Sequence, residues 1–259
     1  MTSGHLFVTG CSSGIGRAVV ELALAAGWRV SGCARRAEAL AAMGQDHPHT
    51  TCLSEADVAC DGAVSAAVAA GVTRFGPLDA LIANAGQGLV GSLADCSPQA
   101  LRDLLEVNLV GLHRSVQAVL PHLVHGGRVV LVSSVCGHIS LPYMGAYCAS
   151  KHGVQAYAAS LRMEMGHCLR VCTVEPGTVA TAFFDHFGAD DPTRPLRARR
   201  PLDPQWVARV LLKAAASGRP RQSVIPCSAR LAAFLAWCWP GLFEAMVRRR
   251  LSRAVAAGR

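Results

Sequence analysis

Residues 9–27 read TGCSSGIGRAVVELALAAG, a glycine-rich turn that runs straight into an amphipathic helix. A short apolar run, Leu6–Thr9, stands ahead of it and has the composition of a buried strand. Gly10, Gly14 and Gly16 fall in the order Gly-x-x-x-Gly-x-Gly, where a tight turn needs glycine and the free N–H groups of the helix start can receive a pyrophosphate. A helix-entry turn without a ligand also uses glycine, but position directly after the first strand of a βαβ unit favours a dinucleotide. Ser12, Ser13 and Ile15 of the same turn join the three glycines as candidate cofactor contacts.

The alternation continues along the chain. Short apolar runs at Arg29–Ala34, Thr51–Leu53, Ala80–Ala83, Arg128–Ser133, Arg170–Val174 and Gln222–Ile225 are separated by helix-length segments. Parallel neighbours need crossover connections, so strands separated by helices predict a parallel sheet covered on both faces. The expected fold is α/β, a doubly wound sheet of about seven strands followed by a helical extension. A chain of 259 residues with 51% apolar content can bury one large core without a second domain, so residues 1–259 are read as a single unit. Four prolines, Pro192, Pro195, Pro201 and Pro204, mark an irregular stretch from Asp185 to Pro204; residues 182–204 are read as a substrate lid or a surface loop.

The formal net charge of +8 is unevenly placed. Residues 1–193 hold 11 Lys and Arg against 15 Asp and Glu, net −4, while residues 194–259 hold 14 against 2, net +12. The main body therefore has no electrostatic footprint for nucleic acid. Eleven cysteines occur in an odd count with no Cys-x-x-Cys pair, and no charged leader precedes an apolar segment, so the expectation is a reduced, cytoplasmic protein. His47 and His49, or His122 and His125, lack carboxylate or cysteine partners at ligand spacing, and no metal is expected.

Doubly wound sheets bind ligands beyond the carboxyl ends of their strands. After the second run the chain reads GCARRAEAL, where an NAD-binding protein carries an acid for the ribose 2′-hydroxyl. Arg35 and Arg36 stand there instead, and Glu38 falls inside the next helix. This favours NADP(H) over NAD(H). Asp57 and Val58 of EADV can meet an adenine edge and ring, and Asn84, Ala85 and Gly86 allow close backbone approach, although plain loops use the same residues. In EPGTVATAFF, Pro176 and Gly177 form a turn, and Thr178, Val179 and Thr181 follow where a nicotinamide amide or a pyrophosphate can lie.

Ser134 ends the fifth run, and Tyr147 and Lys151 follow in YCASK, residues 147–151, four apart on one helix face. A free tyrosine has a pKa near 10 and is a poor base at neutral pH. A lysine cation alongside favours the phenolate and brings the acid/base group closer to operating pH. Of 25 basic residues 23 are arginine, and Lys151 is one of two lysines, the other being Lys213. Arginine cannot replace lysine where the proton itself is exchanged. The bland reading is a buried tyrosine beside a surface lysine.

Together TGCSSGIG, DV, NAG, VNLVG, SS and YCASK, in order from Leu6 to about Thr181, resemble the short-chain dehydrogenase/reductase family. The resemblance implies a Rossmann-type sheet and hydride transfer between a nicotinamide and a carbonyl or alcohol. Carried over, Ser134 polarises the substrate oxygen, Tyr147 is the acid/base, and Lys151 binds the nicotinamide ribose and lowers the tyrosine pKa. Asn108 matches the family asparagine that holds a water in the proton relay. The family often has two asparagines before Ala-Gly, whereas here Ala83 precedes Asn84. The wording of TGCSSGIG and NAGQGLVGSL looks like the hydroxysteroid and retinol dehydrogenase branch, which implies a hydrophobic ketone or alcohol and a homo-oligomer, dimer or tetramer. The substrate is then expected between Ser134, the segment Gly137 to Tyr143, Gln87 and the irregular stretch. Readings from other classes are a catalytically silent cofactor-binding regulator and an NAD-dependent alcohol dehydrogenase.

Beyond that core, residues 228–259 join an apolar run to an arginine cluster, RLAAFLAWCWPGLFEAMVRRRLSR at 230–253. The 13 uncharged residues from Leu231 to Phe243 are too few to span a bilayer and are broken by Pro240 and Gly241. Packing over the pocket or at a subunit interface, a peripheral membrane contact and docking to an acidic partner remain as alternatives.

Overall fold

The computed structural model describes residues 4–187, 191–198, 200–217 and 222–256. Seven strands form one parallel sheet: β1 (His5–Thr9), β2 (Arg29–Ala34), β3 (Thr51–Glu55), β4 (Leu78–Ala83), β5 (Leu123–Val132), β6 (Arg170–Pro176) and β7 (Gln222–Ile225). Their order is β3-β2-β1-β4-β5-β6-β7, so the winding reverses between β1 and β4. That reversal opens the crevice in which such sheets bind ligands.

Nine helices accompany them among the described residues: α1 (Gly14–Ala25), α2 (Ala37–Asp46), α3 (Ala63–Phe75), α4 (Pro98–Leu105), α5 (Gly111–Val119), α6 (Gly145–Met165), α7 (Pro204–Ser217), α8 (Cys227–Cys238) and α9 (Pro240–Ala256). The central strands are buried on both faces, which is why their sequences read as apolar runs instead of alternating. One face of the sheet packs α1, α2 and α7 through Val19, Leu40, Val207 and Leu211. The other packs α3, α5 and α6 through Val68, Val116, Val154 and Leu161.

The sequence places β2 and β7 at their observed bounds. β4 and β5 begin earlier than expected, at Leu78 and Leu123, because those two residues already pair, ahead of the stretch where the apolar pattern is interrupted by Asp79, His125 and Gly126. The sheet accommodates this with a register shift between Leu78 and Ala80. Residues 182–204 carry short 3-10 helices at Ala182–Phe187 and Arg194–Leu196; residues 188–190 and 199 lie outside the described ones.

Between α4 and α5 the helix passes through a π-helical turn, Glu106–Val110, that carries the buried Asn108. Such wide turns insert an extra residue into a helix and are frequent at functional sites.

Candidate active site

The glycine turn is shaped by close backbone approach. Gly10 has a φ of 67°, and a Cβ on Gly16 would lie 2.1 Å from the Gly10 carbonyl oxygen, so the turn has this form only without those side chains. Asn84 at the end of β4 locks it from below, with Nδ2 donating to the Thr9 and Gly10 carbonyls at 3.2 Å each. Ser13 is the residue before α1, and its side chain makes no cap, leaving the first N–H groups of the helix open to an anion. Thr181 closes the other side; a Cβ on Gly14 would stand 3.2 Å from its Cγ2.

Arg36 donates through Nε and a terminal nitrogen to the Ser12 hydroxyl, 3.2 Å in each case, which fixes a cation at the rim of this cradle. Arg35 beside it is exposed, and Glu38 lies in the first turn of α2. Asp57 uses its carboxylate locally, accepting from the Ala59 N–H at 2.9 Å. Val58 is buried against α5, where it fills the space a Cβ on Gly111 would need. Its expected contact with an adenine ring thus competes with helix packing. Val179 is also a packing residue, buried and bridged to Leu202, while the Ala85 N–H donates to the Thr9 hydroxyl at 3.1 Å. Pro176 ends β6, and the Gly177 N–H donates to the Ile225 carbonyl at 2.7 Å, so that turn is tied to β7.

Ser134, Tyr147 and Lys151 converge beyond the carboxyl end of β5, all three buried. Ser134 caps the helical turn Val135–Gly137, accepting from the Cys136 N–H at 3.2 Å and donating to the Pro176 carbonyl at 3.3 Å. It is also the polar neighbour that pulls the Tyr147 pKa down, but burial is stronger and the phenol is pushed well above its ordinary value. The nearby Cys136 and Cys148 thiols add to that rise. Lys151 reaches from the same face of α6 to the Val132 carbonyl at 3.2 Å, its ammonium 5.8 Å from the centre of the Tyr147 ring. Burial lowers its own pKa to about 8. The expected drop in the tyrosine pKa is therefore not what the structure shows: desolvation of the phenolate outweighs neighbouring charge. In the protein alone, Tyr147 is a neutral phenol, a proton donor.

Asn108 bridges the two sides of the site. Its Oδ1 accepts from the Gln87 N–H at 2.8 Å, and its Nδ2 donates to the Gln87 carbonyl at 2.9 Å and to the Ser150 hydroxyl at 3.0 Å. Ser150 in turn donates to the Tyr147 carbonyl at 2.7 Å. The asparagine side chain is thus consumed in bracing Gln87 against α6, and Gly86 runs close to both Asn108 and Lys151.

The wall over Tyr147 is apolar. The Phe183 ring lies 5.8 Å from the tyrosine ring, and Phe187 meets Phe183 edge-on at 6.2 Å, both over Gly88. Leu89, Val90, Cys96 and Leu141 complete that side. An ion pair of Arg197 with the buried Asp191 and the Arg197 guanidinium 5.9 Å above the Phe187 ring hold the flanking segment. Tyr143, expected at the substrate, is exposed and has a φ of 63°, its carbonyl accepting from the Gly91 N–H.

Sequence reasoning missed Phe183 and the buried pair of Glu175 and His138. Glu175 sits within β6 with no exposure, accepting from His138 at 2.9 Å and from the Thr173 hydroxyl at 2.7 Å. Burial disfavours its charge, but bonds from His138, Thr173 and Gln155 outweigh it and hold the carboxyl below its usual range. The sequence signal was an acid near the end of a largely apolar strand.

Residues 4–192 match the family described as short chain dehydrogenase. The chain is 34% identical over 265 residues to dehydrogenase/reductase SDR family member 7B of Bos taurus, covering 94% of this chain and 80% of the relative. It is 32% identical to the uncharacterized oxidoreductase YbbO of Escherichia coli K12, covering 83% and 82%. Among solved structures, a short-chain dehydrogenase from Streptomyces avermitilis superimposes with a TM-score of 0.79 at 29% identity, covering 100% of this chain and 98% of that one.

Proposed function

The chain belongs to the short-chain dehydrogenase/reductase family, the NAD(P)-dependent oxidoreductases of carbonyls and alcohols, and we propose that it reduces a hydrophobic ketone with NADPH. The observation that carries this reading is geometric: Ser134, Tyr147 and Lys151 are buried together beyond the carboxyl end of β5, and Arg36 is held by Ser12 at the rim of the glycine cradle.

The cradle of Gly10, Gly14, Gly16, the open start of α1 and Thr181 fits a pyrophosphate, and Arg36 on Ser12 with Arg35 beside it fits a 2′-phosphate. A reduced nicotinamide supplies the hydride to the carbonyl carbon. The residues of this chain do the rest. Ser134 offers a hydroxyl to the carbonyl oxygen and orients it. As negative charge develops on that oxygen, the Tyr147 O–H bond breaks and its proton completes the alcohol. Lys151, charged below about pH 8, offsets the phenolate left behind. Asn108 and Ser150 hold the Tyr147 turn of α6 in place. Phe183, Leu89, Val90 and Leu141 exclude water and favour an apolar substituent.

The test is NADPH oxidation against a panel of apolar ketones, with NADH as the comparison cofactor. Tyr147→Phe should abolish turnover and leave NADPH binding intact. Full turnover by that variant would refute the tyrosine assignment, and faster turnover with NADH would refute the cofactor assignment.

A further inference from the structure

The first of the two C-terminal helices, α8, is inside out. In α8 the small residues Ala229, Ala233 and Ala236 pack inward on Val135 and Ile139, while the large ones face solvent. Leu231, Phe234 and Trp237 are 62%, 54% and 82% exposed and stand three residues apart, so they form one stripe on the outer side. Trp239 at the break and Leu242 and Met246 of α9 continue it, and the Trp239 ring meets Phe234 edge-on at 6.3 Å. A soluble helix normally buries its large apolar residues and exposes its small or polar ones. A contiguous exposed apolar patch of this kind marks an interaction surface.

We propose that the outer side of α8 and α9 docks on an anionic lipid surface, with the helices lying in the plane of the interface. Charge supports this occupant. Arg230, Arg249 and Arg253 are exposed on the two helices that carry the apolar stripe, while Arg248 pairs with Glu244 and Arg250 donates to the Arg197 carbonyl. The sole acid in either helix, Glu244, is already paired with Arg248 at 3.2 Å. A second copy seated on the same side would bring two arginine clusters together. Arginines beside large apolar side chains and two tryptophans instead match a headgroup layer over acyl chains. No helix among the described residues is long and apolar enough to cross a membrane, so the contact is peripheral.

The docking surface is coupled to the site. The inner side of α8 rests on Val135, which directly follows Ser134, and on Ile139, and a cleft of 540 Å³ is walled by Leu141 and Gly145 on one side and Val247 and Arg248 of α9 on the other. An enzyme so docked presents this cleft next to the bilayer surface.

Flotation of the full chain with phosphatidylcholine vesicles, with and without phosphatidylserine, tests the proposal. The chain should float with the anionic vesicles and much less with the neutral ones, and salt should release it. The triple variant Leu231→Ser, Phe234→Ser, Trp237→Ser should lower partitioning by about tenfold or more. Arg249→Glu with Arg253→Glu should remove the preference for phosphatidylserine. NADPH oxidation in vesicle-free buffer should be unchanged in both, which confirms that they fold. No flotation, or unchanged flotation of the triple variant, would overturn the proposal. So would a vesicle-free dimer that the triple variant dissolves, which would assign the surface to a second copy, or flotation lost without phosphatidylserine dependence.

Discussion

The Lys151 ammonium lies 5.8 Å from the centre of the Tyr147 ring and gives its hydrogen bond to the Val132 carbonyl, so it faces the ring and is anchored to the strand end. Burial depresses its pKa to about 8, so it is charged below that pH and neutral above it. Because the cation offsets phenolate charge, kcat/KM for carbonyl reduction should fall as pH rises through about 8. A pH profile with NADPH held saturating checks this; a flat profile from pH 7 to pH 9 would remove Lys151 from that role.

The same depression has a stability sign. The folded pKa of Lys151 lies below its unfolded value of 10.5, so the unfolded chain holds more protons between about pH 8 and that value. Stability from this group therefore rises with pH across that window, and its full cost is present below pH 8. Lys151→Met should lose activity yet gain on the order of 1 kcal/mol in unfolding free energy at pH 7, a gain that shrinks towards pH 10. Urea melts at the two pH values measure it.

Arg36 is held at the cradle rim by Ser12. Arg36→Ala should weaken NADPH binding by about tenfold or more, a charge-assisted contact, and leave NADH binding nearly unchanged. Equal loss for both cofactors in a fluorescence titration would assign Arg36 to loop support instead.

The Phe183 ring lies 5.8 Å from the Tyr147 ring, tilted by 59°. Phe183→Ala should raise KM for bulky apolar ketones by roughly tenfold, the scale of a buried aromatic contact, while the NADPH dissociation constant stays the same. An unchanged KM across the panel would place the substrate elsewhere.

Glu175 is ionised in the folded protein and braced by His138 and Thr173. Its folded pKa lies below the unfolded value, so its contribution is present above about pH 4.5 and is lost as pH falls through the folded value. Glu175→Gln should destabilise the protein by about 1–3 kcal/mol at pH 7. The gap to the unmodified chain should narrow in acid, read from denaturant midpoints at pH 7 and pH 4.

Much of this site was legible because its residues follow strand ends. The glycine turn, Ser134, Tyr147 and Lys151 each declare themselves by spacing after an apolar run, and the sheet itself follows from strands separated by helices. Local pattern does not carry burial. The tyrosine pKa was read with the wrong sign from a neighbouring lysine, because desolvation depends on what the whole fold places around the phenol. Phe183 was hidden for the same reason: its meeting with Tyr147 joins residues far apart in the chain. Glu175 reads as one acid in β6, and its bonds from Thr173 of the same strand and from His138 outside it explain why it is tolerated there. The inversion of α8 is invisible in composition, since alanine and tryptophan both count as apolar.

The wide turn at Glu106–Val110 has a consequence for how this chain can change. It holds one more residue than a regular helix needs between α4 and α5. Deleting a residue there leaves a continuous helix through Pro98–Val119, with every core layer on α5 still available. The residues ahead of the deletion would rotate by about 100° relative to α5, the angle of one helical residue. Asn108 would then lose its line to Gln87 and Ser150. The same rotation would carry the buried Leu104 of α4 away from its cluster with Met144, Tyr147 and Cys148, so this turn sets the brace on Tyr147 and the packing beside it together.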